Sequence, residues 1–189
     1  MNSQQLNPST TDTQTLAQLR QEFEQNSNRA VSLPIAGAIV WCGVGFASLF
    51  TSTYLSTLIL LFATGTIFPL GLLIAKTRQE HLTSSENPLA RLMGMGVMMV
   101  NLLWALHIPL MLKAPEMVPL SVGIGLGVHW ILYSWIVNHP VGIIHATMRT
   151  GLILLVWFIS PPHMLAMISL AVVVSYAVSI FLMMNRKID

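Results

Sequence analysis

The chain has 189 residues, 54% of them hydrophobic and 8% charged, with nine Lys and Arg against seven Asp and Glu for a net charge of +2. Soluble domains carry about 25% charged residues, so this chain has too few to coat a water-exposed surface, and a mean hydropathy of +0.69 reads as an integral membrane protein. The same composition excludes a disordered chain, and a single cysteine, Cys42, excludes a disulfide-stapled secreted module.

From the N-terminus, residues 1–12 are polar and are expected to be disordered. They lack the early apolar core of a secretory signal. Residues 13–29 carry Leu16, Leu19 and Phe23 at i, i+3 and i+7, which predicts a short amphipathic helix. Its apolar stripe is narrow, suited to resting on a membrane surface or on the protein's own cytoplasmic face. A bilayer core about 30 Å thick needs about 20 apolar residues per helix. Six runs meet that need, at 33–50, 54–75, 89–112, 118–137, 141–160 and 164–185. They are continuous rather than alternating, which argues against a membrane β-barrel. Turn signals separate them at 51–53, at 113–116, at Asn138-His139-Pro140 and at Pro161-Pro162, and 76–88 forms the one long polar loop. Pro69 and Pro109 fall inside the second and third runs and predict kinks there.

The expected architecture is therefore all-α: a polytopic bundle of six transmembrane helices. Its expected divisions are a disordered segment at 1–12, a cytoplasmic amphipathic helix and linker at 13–32, a membrane domain at 33–185 and a cytoplasmic tail at 186–189. With the N-terminus inside, Arg20, Arg29, Lys76, Arg78, Arg91, Arg186 and Lys187 all lie on the cytoplasmic side and Lys113 alone lies outside. That asymmetry places both termini in the cytoplasm. The pI of about 9.0 does not imply nucleic-acid binding, because the basic residues sit in small groups at helix ends rather than in a stripe interleaved with aromatics. The faint likeness of Leu33-Pro34 to Val118-Pro119 does not continue downstream, so no inverted repeat is read.

One charged residue remains deep inside a run. Arg149 follows Pro140 by nine residues, which puts it about 13 Å into the bilayer. A lone arginine at such depth costs about 3 kcal/mol to insert, and it must face the bundle interior and find acceptors. His145 lies one turn earlier on the same face. Ser121, Gly125, His129 and Tyr133 form a stripe at four-residue spacing on the fourth helix, with His129 about 16 Å from its outer end. Asn101, followed by Trp104, sits near mid-depth on the third helix. Arg149, His129 and Asn101 are expected to share one level, with His145 and Tyr133 a turn nearer the cytoplasm. No Asp or Glu lies inside any run, so the guanidinium has no internal counter-ion. Its planar fork suits carboxylate or phosphate. The plainer account is that Arg149 only cross-links helices.

Four further patterns are weaker. His107, His129 and His145 raise a metal or haem reading, yet no two share a helix at a chelating spacing and no thiolate or acid supports them. Met95 and Met99 make the M-x-x-x-M spacing that suits Cu(I), but with Gly94 and Gly96 beside them close packing explains them more simply. Cys42, within an apolar run, reads as a small buried hydrophobe. Gly123 and Gly127 form a G-x-x-x-G that favours close helix approach, within the subunit or between subunits. It is no nucleotide loop, since no strand precedes it.

Asn87-Pro-Leu-Ala-Arg91, Ala114-Pro-Glu-Met-Val-Pro119, Gly125-Leu-Gly-Val-His129-Trp130 and Ile144-His-Ala-Thr-Met-Arg149 resemble an uncharacterised family of small bacterial multi-pass membrane proteins, a domain of unknown function, from about residue 18 onward. The resemblance implies a bacterial inner-membrane location and about six helices. It supplies no catalytic residues.

The expectation is a small transporter- or channel-like protein. Arg149 would draw in a small anionic or carbonyl-bearing solute, His129 and His145 would hydrogen-bond it or relay protons, and Asn101, Tyr133 and Trp104 would orient it. The lipid bilayer is the expected partner, a homo-oligomer is expected only on the ground that the helices are few and the loops short, and no nucleic acid, metal, cofactor or catalytic residue is assigned. A structural or assembly protein without a ligand and a histidine-based metal or haem protein are the alternatives.

Overall fold

Apolar runs with no water to satisfy their peptide groups must bond internally, and helices do so within one segment. In the computed structural model, which describes residues 14–82 and 86–186, every run is helical and no strand occurs among the described residues. The helices are α1 (Leu16–Ser27), α2 (Ser32–Ser48), α3 (Thr53–Gly65), α4 (Ile67–Arg78), α5 (Pro88–Leu102), α6 (Trp104–Lys113), α7 (Val118–Val128), α8 (Trp130–Ile136), α9 (Val141–Ile159) and α10 (Met164–Asn185). Five helical stretches are long and apolar enough to cross a membrane, and α3 with α4 makes a sixth when that bent pair is counted as one span. The segment at 1–12 expected to be disordered, and most of the 186–189 tail, lie outside the described residues.

Local chemistry sets the ends. Thr15 and Gln18 form a capping box at α1. The Asn87 side chain accepts from Leu89 N, with Pro88 in the first helical turn of α5. Gln79 and Ser160 take the left-handed conformation that ends α4 and α9. α3 and α4 meet at 43°, at Thr66, three residues before Pro69. That is where the proline ring and its missing N–H disturb the preceding turn. Pro109 instead sits inside α6, and the break between α5 and α6 falls at Leu103.

α10 is the hub: it packs most extensively on α2 and α9, while α2 also packs on α4 and α7 on α9. Small residues let these backbones approach. A Cβ at Gly37 would overlap the Tyr176 ring, and one at Gly45 would overlap Ser169 Cβ. The Gly123–Gly127 pair works within the chain, against α9: Gly123 meets Ile153 and Gly127 lies beside the stem of Arg149. Trp41, Ile153, Ile168 and Val172 are fully buried in the resulting core. Phe46, Phe62, Met99, Leu112 and Phe158 stand on the outer surface, where lipid rather than water would meet them. Cys42 is exposed there too, rather than buried in the core as expected.

α1 lies across the end of the bundle where α2, α5 and α9 begin and α4, α8 and α10 finish. Phe23 is buried and Leu19 packs against the core, whereas Leu16 remains exposed.

Candidate functional site

Arg149 is the ninth residue of the nineteen-residue α9 and is fully buried. Its Nε donates to the carbonyl of Gly123 at 2.7 Å. That approach is open because the neighbouring Gly127 leaves room for the arginine Cδ; a Cβ there would stand 3.1 Å from it. The guanidinium carbon lies 5.3 Å from the ring centroid of Trp41 and 5.3 Å from that of Tyr176. α2 and α10 thus sandwich the cation contributed by α9. Nη1 and Nη2 are buried and have no hydrogen-bond partner among the described residues.

Magnitudes separate what is compensated from what is not. Insertion costs about 3 kcal/mol. One charge-assisted hydrogen bond contributes about 2 kcal/mol and two desolvated cation–π contacts about 1 kcal/mol each, so these offset the insertion. Each unpaired donor then adds a penalty of about 1–3 kcal/mol, which the Tyr176 hydroxyl beside the guanidinium offsets in part.

The other polar groups gather around Trp130 and Tyr176. His145 is fully buried, stacks on Trp130 at 4.0 Å between centroids, lies 5.0 Å from Tyr176, and shares a 2.8 Å hydrogen bond between Nδ1 and Ser179 Oγ. His129 is half-buried and meets the same indole at 6.3 Å. His129 Nδ1 and His145 Nε2 are buried without partners among the described residues. The two histidines therefore share Trp130, one turn from Arg149. His107 stands apart, its Nδ1 3.2 Å from Ser121 Oγ.

Three expected members are elsewhere. Asn101 is exposed on the outer surface of α5, and Trp104 is half-buried at the edge of the core. Tyr133 faces away from Arg149, into a cluster beneath α1. Its hydroxyl donates to the Arg29 carbonyl at 3.2 Å and accepts from Arg186 Nη2 at 3.2 Å. Arg186 Nη2 also reaches Glu24 Oε2 at 2.5 Å, in an ion pair whose side chains are nearly inaccessible. Burial pushes the Glu24 carboxyl above its ordinary value, against the pull of Arg186 and Arg29. Arg29 donates to the Met184 and Arg186 carbonyls, and Arg20 to those of Ile136 and Trp135. These contacts satisfy the carbonyl ends of α10 and α8 and pin α1 across them.

Trp41 and Tyr176, neither singled out by the sequence, flank the arginine. The available signal was spacing: Gly37, Trp41 and Gly45 recur every four residues on α2, so the indole lies on the face whose glycines meet Tyr176 and Ser169. A polar concavity of about 250 Å3 at the opposite end from α1 is lined by Ser48, Thr51, Ser56, Thr57, Glu116 and His163 among others; Arg149 is not one of its lining residues.

Among the described residues, no three His, Cys, Asp or Glu converge as metal ligands would, and the histidines just described engage rings and hydroxyls. Residues 16–186 match the model of the Family of unknown function (DUF7010). The chain belongs to that family. No curated protein and no solved structure matches it. The family carries no assigned activity, so function has to be argued from the chemistry of the site.

Proposed function

We propose that this member of the family is a small transporter- or channel-like membrane protein whose Arg149 site takes an anionic or carbonyl-bearing solute. The supporting observation is a buried guanidinium with two nitrogens unpartnered among the described residues, in spans that contain no acid. A fixed positive charge in a medium of low dielectric attracts an anion strongly, and arginine presents donors only. His129 and His145, both against Trp130, would hydrogen-bond the solute or pass a proton. The Lys and Arg distribution favours both termini in the cytoplasm, and the motif resemblance favours a bacterial inner membrane.

The test is flux. Purified protein in liposomes loaded with formate or chloride should release them faster than protein-free liposomes, and Arg149→Leu should abolish the difference. Equal flux from the variant would overturn the reading. A second reading, that Arg149 is a structural pin, is favoured by its bond to Gly123 and its aromatic sandwich. It predicts no flux from either protein and a marked loss of stability in the variant.

A further inference from the structure

We infer that the outer face of α5 and α6 is where two copies of this chain meet in the membrane, side by side about a two-fold axis, with Asn101 of each copy bonded to Asn101 of the other. The inference does not depend on the reading of Arg149.

The span Pro88–Lys113, which α5 and α6 make together, is the least covered of the five long ones: 22% of its apolar window is buried inside the bundle, against 28–50% for the others. Asn101 is the fourteenth of its twenty-six residues, midway along it. Its side chain is exposed there, where lipid offers no hydrogen bond and an unmet amide is costly. Other polar groups on the outer surface settle that cost within their own helix. Thr66 and Thr147 return their hydroxyl hydrogens to the carbonyls of Ala63 and Ile143, and Asn185 donates to that of Phe181, whereas the Asn101 amide has no such bond among the described residues.

The residues in line with Asn101 suit a neighbouring helix. Gly94, Met98, Asn101, Ala105, Ile108 and Leu112 recur at alternating steps of four and three, the spacing that keeps one seam facing a partner in a left-handed helix pair. All six are exposed. They lie opposite the side turned to the bundle, where Gly96, Val100, His107 and Met111 are buried. Small residues stand on both sides of the amide: an added Cβ at Gly94 meets nothing within 4 Å, and Ala105 follows Asn101 by one turn. Such residues let two backbones approach closely, so that a side chain as short as asparagine reaches across. The stripe beside it, through Met95, Met99, Leu102 and Leu106, has long apolar chains and no polar group.

Symmetry names the partner. In two copies related by an axis along the membrane normal, a residue near the axis sits at the depth of its own mate. Asn101 therefore finds an amide at mid-depth, where an unrelated protein would have to supply a polar group of its own. An amide carries both donors and an acceptor, so two of them can exchange a pair of hydrogen bonds. A single asparagine in an otherwise apolar seam also fixes which residues face each other.

The experiment uses the full chain carrying Cys42→Ala, since Cys42 is its one cysteine, reconstituted in liposomes at decreasing protein-to-lipid ratios. Copies labelled at the N-terminal amine with donor or acceptor dye report association by energy transfer, and stepwise photobleaching counts the copies in each particle. Two steps are expected, with transfer that falls on dilution. Asn101→Leu should need about tenfold more protein per lipid for half association, and Asn101→Gln, which keeps an amide, should recover most of that loss. A second measurement leaves the amide in place. Met98→Cys and Ala105→Cys should each form a disulfide-linked dimer on mild oxidation, and Phe62→Cys, exposed on α3, should not. Any of four results overturns the inference: no association at any dilution, three or more bleaching steps, Asn101→Leu associating as tightly as wild type, or Phe62→Cys cross-linking as readily as Ala105→Cys.

Discussion

Arg186 and Arg149 are both buried, yet they are held in opposite ways. Arg186, under α1, has an acid at 2.5 Å and the Tyr133 hydroxyl at 3.2 Å. Arg149, in mid-bundle, has one carbonyl and two aromatic faces and keeps two nitrogens without partners among the described residues. The first arrangement is closed. Charge is neutralised on the spot, and its neighbours Arg20 and Arg29 cap helix ends. The second leaves positive charge and donors unbalanced where unbalanced charge is most expensive. A protein able to build the closed arrangement beneath α1 has not done so deeper in its own core, and this contrast is the basis for reading one arginine as architecture and the other as a solute site.

The largest expected effect breaks the closed side. Glu24→Ala strands a buried guanidinium, and removing one partner of such a pair costs about 3–5 kcal/mol. A much lowered unfolding midpoint, with α1 becoming open to proteases, is the expected result; an unchanged midpoint would mean that the pair contributes nothing to holding α1. The mirror experiment is Arg149→Met. Replacing a buried charge by an apolar side chain of similar volume is often neutral or stabilising by about 1–4 kcal/mol, so this variant should unfold at the same temperature or higher while losing anion response. Destabilisation by about 2 kcal/mol or more would instead make Arg149 a pin and erase the contrast.

Much of this was legible in the chain itself. The six apolar runs coincide with the helices to within a few residues because, without water, hydropathy and helix length carry nearly all the information. Arg149 declared itself by charge. Its surroundings did not, because which faces of α2 and α10 turn inward depends on packing. Periodicity is faint in helices that are apolar all round. Asn101 illustrates the difficulty: depth along α5 was readable and azimuth was not, so a residue at mid-depth stands on the outer surface. Tyr133 was legible as the end of a four-residue stripe, but α7 gives way to α8 at His129, and beyond that break the hydroxyl serves the cluster beneath α1.

A smaller perturbation sharpens the open side. Gly37→Ala places a methyl against the Tyr176 ring, which is one face of the Arg149 sandwich. Overpacking of this kind costs about 1–3 kcal/mol. Because the displaced ring also covers the guanidinium, anion affinity should change together with stability. Gly43, where an added Cβ meets nothing within 4 Å, supplies the control: Gly43→Ala should leave binding intact and leave stability equal or slightly raised. Equal binding by both variants would separate Tyr176 from the site.

The smallest effect is a pH dependence confined to the closed side. Burial raises the Glu24 carboxyl above its ordinary value while Arg186 and Arg29 pull it back. Docked α1 therefore holds the Glu24 proton more tightly than undocked α1 does. The sign follows from linkage: this contribution is fully present below the ordinary carboxylate value and is lost as pH rises through the raised one, so docking tightens in mild acid. A protonated carboxyl still offers Arg186 a carbonyl oxygen, and the contact survives the change. His139, at the same end, acts oppositely. Burial and Arg186 lower its pKa from 6.5, so its contribution is present above that value and lost as pH falls through the lowered one. Hydrogen exchange of the α1 amides, corrected for intrinsic rate, reads the sum. Glu24→Gln, which keeps the oxygen toward Arg186 but cannot titrate, removes the first contribution alone. Subtracting the variant from wild type should leave protection that grows as pH falls; a difference that is flat or of the opposite sign would mean that the ion pair, rather than burial, governs Glu24.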